Sequence, residues 1–451
     1  MNDLLRSALN ECSLGPLDPG DRRRVDLHSL RVRGTGHDPM TRFQTVIQNA
    51  ENGRPTQQYF SGFAGSGKST ELKRLAADLE KAGYTPVLVD CEEYVNLNVP
   101  PRVNDLLATT AAGVDKFIRE KCPGGLTGAF KSYWERFRNF LGSEVEIEGL
   151  KLKVPEAAEL ELKLKTDVIF RTRLYSHLEQ IGRLSDFARQ CHEFLDEAIA
   201  ITAKACPGNQ GLVIIVDSFE KVRGDYLHAE KVRQAVETIF VRDSKWLRLP
   251  CHVIYTVPSW LTFLESGTAA DIGRILILPM CRVMDQHGER VASGFEAMRQ
   301  ILGRRMPLGE LFADMEPLDR LIEMSGGYPR DLLRMMYEVL LSAMMDDLKP
   351  PIPKDTLGKL VADVIAAQIR IYDKPIFDED LPLLVEVAAK RDVPRAERKQ
   401  AFRMAELFDN HFILGYRNGE EWYDLHPLVR RSPKVQVALR EANGKKSKDR
   451  K

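Results

Sequence analysis

The chain predicts an α/β fold: a parallel sheet with helices on its faces, then a helical lid and a C-terminal domain of helices ending in a hairpin. Three observations carry that expectation. A glycine-rich loop at residues 62–70 stands between a strand-like run and a run with helical periodicity. The apolar run 211–217 is the continuous kind that marks a strand buried on both faces, and 251–259 reads as a further strand ending in polar residues. Asn418-Gly419 separates two strand-like runs near the C-terminus, a strong hairpin signal.

Residues 1–40, rich in Pro, Gly and Arg, read as an irregular arm over the domain that follows. Residues 41–285 form the main α/β domain. Gln58-Tyr59-Phe60 enters the glycine-rich loop as a strand, and Leu72, Leu75, Ala76 and Leu79 behind it recur at helical spacing. Val87-Leu88-Val89-Asp90 and 275–279 supply further strands. An insertion at about 101–165 begins as helix, with Trp134 and Phe137. It then alternates charged and apolar residues through 144–148, 150–154 and 160–165, the pattern of a half-exposed β-hairpin. Its apolar stripe is expected to lie on its own domain or to dock a partner. Residues 168–205 read as helix. Residues 286–370 make the lid, with Leu332, Leu333, Met336, Val339 and Leu340 on one face. Residues 371–440 are helices ending in a hairpin, which together make a winged helix, and 441–451 is a solvated, disordered basic tail.

The loop itself, Gly62-Phe63-Ala64-Gly65-Ser66-Gly67-Lys68-Ser69-Thr70, fits G-x-x-x-x-G-K-[ST], the P-loop that wraps nucleoside triphosphates. Its glycines let backbone N–H groups turn inward on the β-phosphate, Lys68 reaches the β/γ oxygens, and the Ser69 hydroxyl can ligate Mg2+. The helix beginning there puts its positive end against the anion. Asp217, the acid closing the 211–217 strand, is the candidate second Mg2+ holder, through water. ATP or ADP with Mg2+ is the expected ligand.

The order of motifs resembles the AAA+ class, and within it the STAND ATPases. Ser325-Gly326-Gly327-Tyr328-Pro329-Arg330 looks like their Gly-x-Pro motif, which also serves as sensor 2 in other AAA+ proteins. The resemblance implies that Pro329 packs on the nucleotide and that Arg330 reaches it. It further implies a γ-phosphate sensor at Thr256 and an arginine finger at Arg274, just before a strand. Val25 would lie beside the adenine. AAA+ enzymes usually place a water-activating Glu after the Walker B acid. Here Ser218 stands there and Glu220 is the nearest substitute, which implies slow hydrolysis. Leu425-His426-Pro427 resembles the Met-His-Asp motif of related switch ATPases, implying that His426 touches the β-phosphate of ADP. Pro427 replaces the family's Asp, and Leu425 its Met.

Composition limits the partners. The 65 basic residues equal the 65 acidic ones, so there is no global electrostatic case for nucleic acid. The winged-helix region alone carries a modest basic excess. Seven cysteines without a C-x-x-C pair suggest neither zinc nor a disulfide framework. No run approaches the roughly 18 apolar residues of a transmembrane helix, and the first residues do not open a signal peptide. A cytoplasmic protein without membrane contact is expected. The leading functional expectation is a nucleotide switch, ADP-closed and ATP-open, working with separate effector or sensor proteins or as a homo-oligomer, as in bacterial defence or signalling. An alternative is a DNA-binding initiator or loader resembling archaeal origin-recognition ATPases. A third is a scaffold that binds ATP structurally.

Overall fold

The computed structural model describes residues 3–31, 38–122, 131–141, 144–147, 150–153, 155–167, 170–171, 173–174, 184–224, 229–263, 275–393 and 398–448. The chain divides into two compact units. One comprises residues 39–61 and 71–276; the other comprises 1–38, 62–70 and 277–451.

The first unit holds the sheet, made of β1 (Gln57–Gly62), β2 (Thr85–Asp90), β5 (Leu212–Asp217), β6 (His252–Val257) and β7 (Ile275–Leu278), ordered β2-β5-β6-β1-β7. β2 pairs with β5, β5 with β6 and β6 with β1, all in parallel. Every residue of β5 and β6 is buried, which is why β5 reads as an unbroken apolar run. One strand, β6, thus stands between the strand entering the loop and the strand ending in Asp217. The helix Lys68–Lys81 buries Leu72, Leu75, Ala76 and Leu79, the stripe its periodicity predicts.

In the insertion, Tyr133–Leu141 is helical, and β3 (Glu144–Ile147) pairs antiparallel with β4 (Leu150–Lys153), so the predicted hairpin forms. The third alternating run does not extend it. Ala157–Thr166 is a helix, with Leu160 and Leu164 buried four residues apart and Glu159 paired with Lys163 at 3.1 Å. Ala, Glu, Leu and Lys are all strong helix formers, and here that preference outweighs period-two patterning.

The second unit is built round one helical core. Leu332, Leu333, Met336, Val339 and Leu340 of the helix Pro329–Met345 meet residues of Ala292–Gly303, Glu316–Ser325 and Lys354–Asp373. The N-terminal segment is less irregular than its composition predicts: Asp3–Asn10 is a helix whose Leu5 and Ala8 join this core, as do Leu27 and Leu30. Arg282 Nε donates to Leu30 O at 3.0 Å and holds the end of the arm in place. The C-terminal module consists of the helices Leu381–Lys390 and Arg398–Asp409, the hairpin β8 (Ile413–Asn418) and β9 (Glu420–Leu425), and the helix Pro433–Lys448. Gly419 sits at the hairpin tip with φ 85°. The final helix runs through much of the stretch expected to be a disordered tail.

Helix Glu316–Ser325 ends at two left-handed glycines, Gly326 (φ 60°) and Gly327 (φ 74°). A Cβ on Gly327 would run into the Cys281 carbonyl. Gly327→Ala therefore combines a positive-φ penalty with a backbone clash. It is expected to destabilise the protein by about 2 kcal/mol or more, read as a lower urea midpoint. An unchanged midpoint would show that the turn relaxes freely.

Candidate nucleotide site

The loop residues 62–70 belong to the second unit, together with the lid and the C-terminal module. Gly62, Gly65 and Gly67 all have positive φ, at 149°, 87° and 99°, so the backbone curls as an anion-binding nest requires. Lys68 is buried, and its Nζ donates to Gly62 O at 2.8 Å and Phe63 O at 3.0 Å. Ser66 N donates to Phe63 O at 3.1 Å and closes the turn. Ser69 follows in the first helical turn, and Thr70 Oγ1 accepts from Leu17 N at 3.1 Å, which ties the N-terminal arm to the end of the loop.

The outer side of the loop is held by three elements. Arg31 Nη2 donates to Ser66 O. The Tyr328 hydroxyl donates to Ala64 O, and His411 Nε2 lies 3.1 Å from the same oxygen. A carbonyl only accepts, so the His411 proton facing it is on Nε2. The two rings stack, with centroids 5.0 Å apart. Phe63 stacks on Phe408 at 5.8 Å. The Arg330 side chain crosses Gly65 so closely that a Cβ there would run into it. Pro329 opens the lid helix at its first position, where proline's missing N–H costs nothing. Val25 lies against the helical core, between the Arg24 carbonyl that accepts from Arg304 and Leu27.

His426 is fully buried beneath this layer. Its Nδ1 accepts from Leu428 N at 3.2 Å, and its Nε2 lies 3.2 Å from Asp331 Oδ2, close enough for an ion-pair contact but outside hydrogen-bond geometry. Tyr372 stacks on the ring at 4.8 Å and donates its hydroxyl to Asp331 Oδ2 at 2.6 Å. Burial raises the Asp331 pKa, but His426 and Tyr372 more than offset it and hold the carboxyl below its usual value. Both ring nitrogens of His426 are thus turned to protein groups rather than toward the loop.

The remaining predicted residues lie in the first unit. Asp217 closes β5 beside its register partner Asp90. Its Oδ1 accepts from Ser218 N at 2.7 Å, and Ser218 takes the left-handed φ of 68°. Glu220 is buried in the short turn Phe219–Lys221. Thr256 Oγ1 accepts from Phe219 N at 3.1 Å, joining the end of β6 to that turn. Cys91 is buried beside these acids, and burial first, then the charges of Asp90, Asp217, Glu220 and Glu92, push its thiol pKa well up. Arg274 lies outside the described residues. Among the described residues, no group of three or more His, Cys, Asp or Glu could hold a metal ion. No helix among them is long and apolar enough to cross a membrane.

Tyr328, His411, Phe408 and Arg31 were not among the predicted site residues. Each meets loop backbone or a loop ring from a distant part of the chain, and no local spacing marks such a pairing.

No family model matches the chain, and no curated protein matches it in sequence. Among solved structures it resembles Drosophila ORC bound to DNA at 12% identity and TM-score 0.39, covering 97% of this chain and 92% of that one. The Aeropyrum pernix ORC2 protein in ADPNP and ADP complexes follows at 11% and 0.40, covering 95% and 99%. The RuvB Holliday junction branch migration motor of Thermotoga maritima stands at 12% and 0.33, covering 89% and 97%. Scores this low leave the function to be read from the chain's own residues.

The Asp331 pair makes stability depend on pH in one direction. A carboxyl whose folded pKa is depressed stabilises the fold fully above its unfolded value of 3.8, and that stability is lost as pH falls through the lower folded value. The stability gap between wild type and Asp331→Asn should be widest at neutral pH and narrow as pH falls below 3.8 and through the lower folded value. A gap that is constant across a pH series of denaturant titrations would exclude this origin.

Proposed function

We propose that this chain is an ATP-binding P-loop ATPase of the AAA+ type, in which the lid and the C-terminal module are coupled to the phosphate loop. The observation that carries the proposal is the curled loop itself, with Lys68 folded into it and its outward carbonyls held by Arg31, Tyr328 and His411. The nest fits a nucleoside diphosphate or triphosphate. Lys68 would neutralise phosphate charge, Arg330 is near enough to Gly65 to reach it, and the Ser69 hydroxyl would ligate Mg2+. When bound, Mg-ATP supplies the phosphoryl group for hydrolysis. Glu220 would orient the water, Thr256 would position the Glu220 turn, and Arg274 would serve a neighbouring copy's nucleotide.

Between the two kinds of AAA+ protein expected, the DNA-associated initiator type is better supported than the ADP-locked STAND switch. The lock was assigned to His426, and that ring is committed to Asp331 and to Leu428 N. An initiator-like ATPase needs no such histidine, only the order of core, lid and C-terminal winged helix. Arg391, Arg403, Arg430 and Arg431 of the module are paired with Asp424, Asp380, Asp424 and Glu323, so DNA contact there would be limited to a few phosphates. The STAND reading retains the lid and module seated on the loop in its favour.

Two measurements test this. Lys68→Ala should lower ATP turnover by about 100-fold or more; turnover equal to wild type would place hydrolysis elsewhere or in a contaminant. Duplex DNA binding by fluorescence anisotropy should weaken with salt at a log–log slope of about −2 to −4. Absence of binding at low salt would return the switch reading to first place.

A further inference from the structure

The peptide planes of the phosphate loop carry an inference about residues that no phosphate would touch. In a trans peptide the carbonyl and the following N–H point in opposite directions from a rigid plane. Pinning Ala64 O on the outer side of the loop therefore aims Gly65 N–H to the inner side. Pinning Ser66 O does the same for Gly67 N–H. Gly65 and Gly67 are the two positions whose positive φ, 87° and 99°, leaves these planes least restrained by the chain itself.

The pins are specific. Ala64 O receives the Tyr328 hydroxyl and faces His411 Nε2 at 3.1 Å, and these two groups are themselves 3.3 Å apart. Tyr328 is buried at the start of the lid helix, and its ring is sandwiched against His411. His411 occupies the turn between helix Arg398–Asp409 and β8 with φ 59°, a left-handed conformation that a non-glycine residue adopts at a cost. Phe408, one turn earlier, stacks on Phe63, and Met280 N donates to Gly415 O at 2.9 Å to anchor β8. The imidazole is thus presented to the loop by a rigid corner. Arg31 Nη2 donates to Ser66 O.

We infer that Tyr328 and His411 are positioning residues for phosphate binding: by holding the Ala64 carbonyl outward they pre-orient Gly65 N–H toward the β-phosphate. This rests on the nucleotide-binding reading above. It makes two consequences distinguishable from a γ-phosphate sensor or a general packing role. The β-phosphate is common to ADP and ATP, so affinity for both falls by the same factor when the pin is removed. An amide side chain that still reaches and donates restores it.

The test is equilibrium binding of mant-ADP and mant-ATP to the full chain. Tyr328→Phe removes the donor and His411→Asn draws it back out of reach of the carbonyl; asparagine tolerates the left-handed turn at 411. Each is expected to weaken both nucleotides by about tenfold with wild-type circular dichroism, and His411→Gln to recover most of the loss. Unchanged affinity in folded variants would overturn the inference while leaving nucleotide binding intact. A loss confined to mant-ATP would overturn it too, by assigning these residues to the γ-phosphate. Should Tyr328→Phe and His411→Asn misfold, His411→Gln against His411→Met, similar in length but without a donor, decides instead: mant-ADP affinity kept in the first and weakened in the second supports the pin, and equal affinities refute it. Wild-type protein that binds neither nucleotide would overturn this inference together with the function it rests on.

Discussion

The Ala64 carbonyl is the point on which the second unit turns. A P-loop is a backbone device, and its affinity lies in N–H groups whose directions are set by peptide planes between flexible glycines. Here two of the outward carbonyls, Ala64 O and Ser66 O, are held by three side chains from outside the loop, and two more, of Gly62 and Phe63, accept from Lys68. Order at the loop is therefore prepared in advance, which lowers the entropic cost of binding.

Beneath that contact lies a second layer that explains why it holds. Asp331 follows directly on Pro329 and Arg330, and its carboxylate is enclosed by Tyr372 from the lid and His426 from the end of the hairpin. A buried carboxylate without such partners would be costly, and with them it fastens the first turn of the lid helix to the module. The Tyr328 ring packs edge-on to His426, at 6.5 Å and 83°. The residue that holds the loop is thus seated on the residues that hold the lid and module together. Gly326 and Gly327 supply the sharp approach, since side chains there would collide with Leu414, Pro427 and the Cys281 backbone.

Much of this was legible from local pattern. The glycine-rich loop, the helix behind it, the acid-tipped strand β5 and the Asn-Gly hairpin each follow from spacing or turn chemistry within a dozen residues, and all formed as expected. The 157–166 helix was not legible, because Leu-Glu-Leu-Lys-Leu alternation suits a strand while its composition suits a helix, and alternation alone does not arbitrate. His426 drew attention because it sits in a familiar-looking motif, yet its neighbours in space are Asp331 and Tyr372. His411 drew none: its partner is a main-chain oxygen 347 positions away, and backbone acceptors leave no mark in a sequence. Arg31 was missed for the same reason.

The most direct measurement is a crystal structure of the full chain with ADP bound. The account predicts β-phosphate oxygens at about 3 Å from Gly65 N and Gly67 N, with Tyr328 and His411 still on the Ala64 carbonyl and His426 still on Asp331. A diphosphate bound away from the loop, or an Ala64 peptide turned so that its carbonyl faces the phosphate, would contradict it.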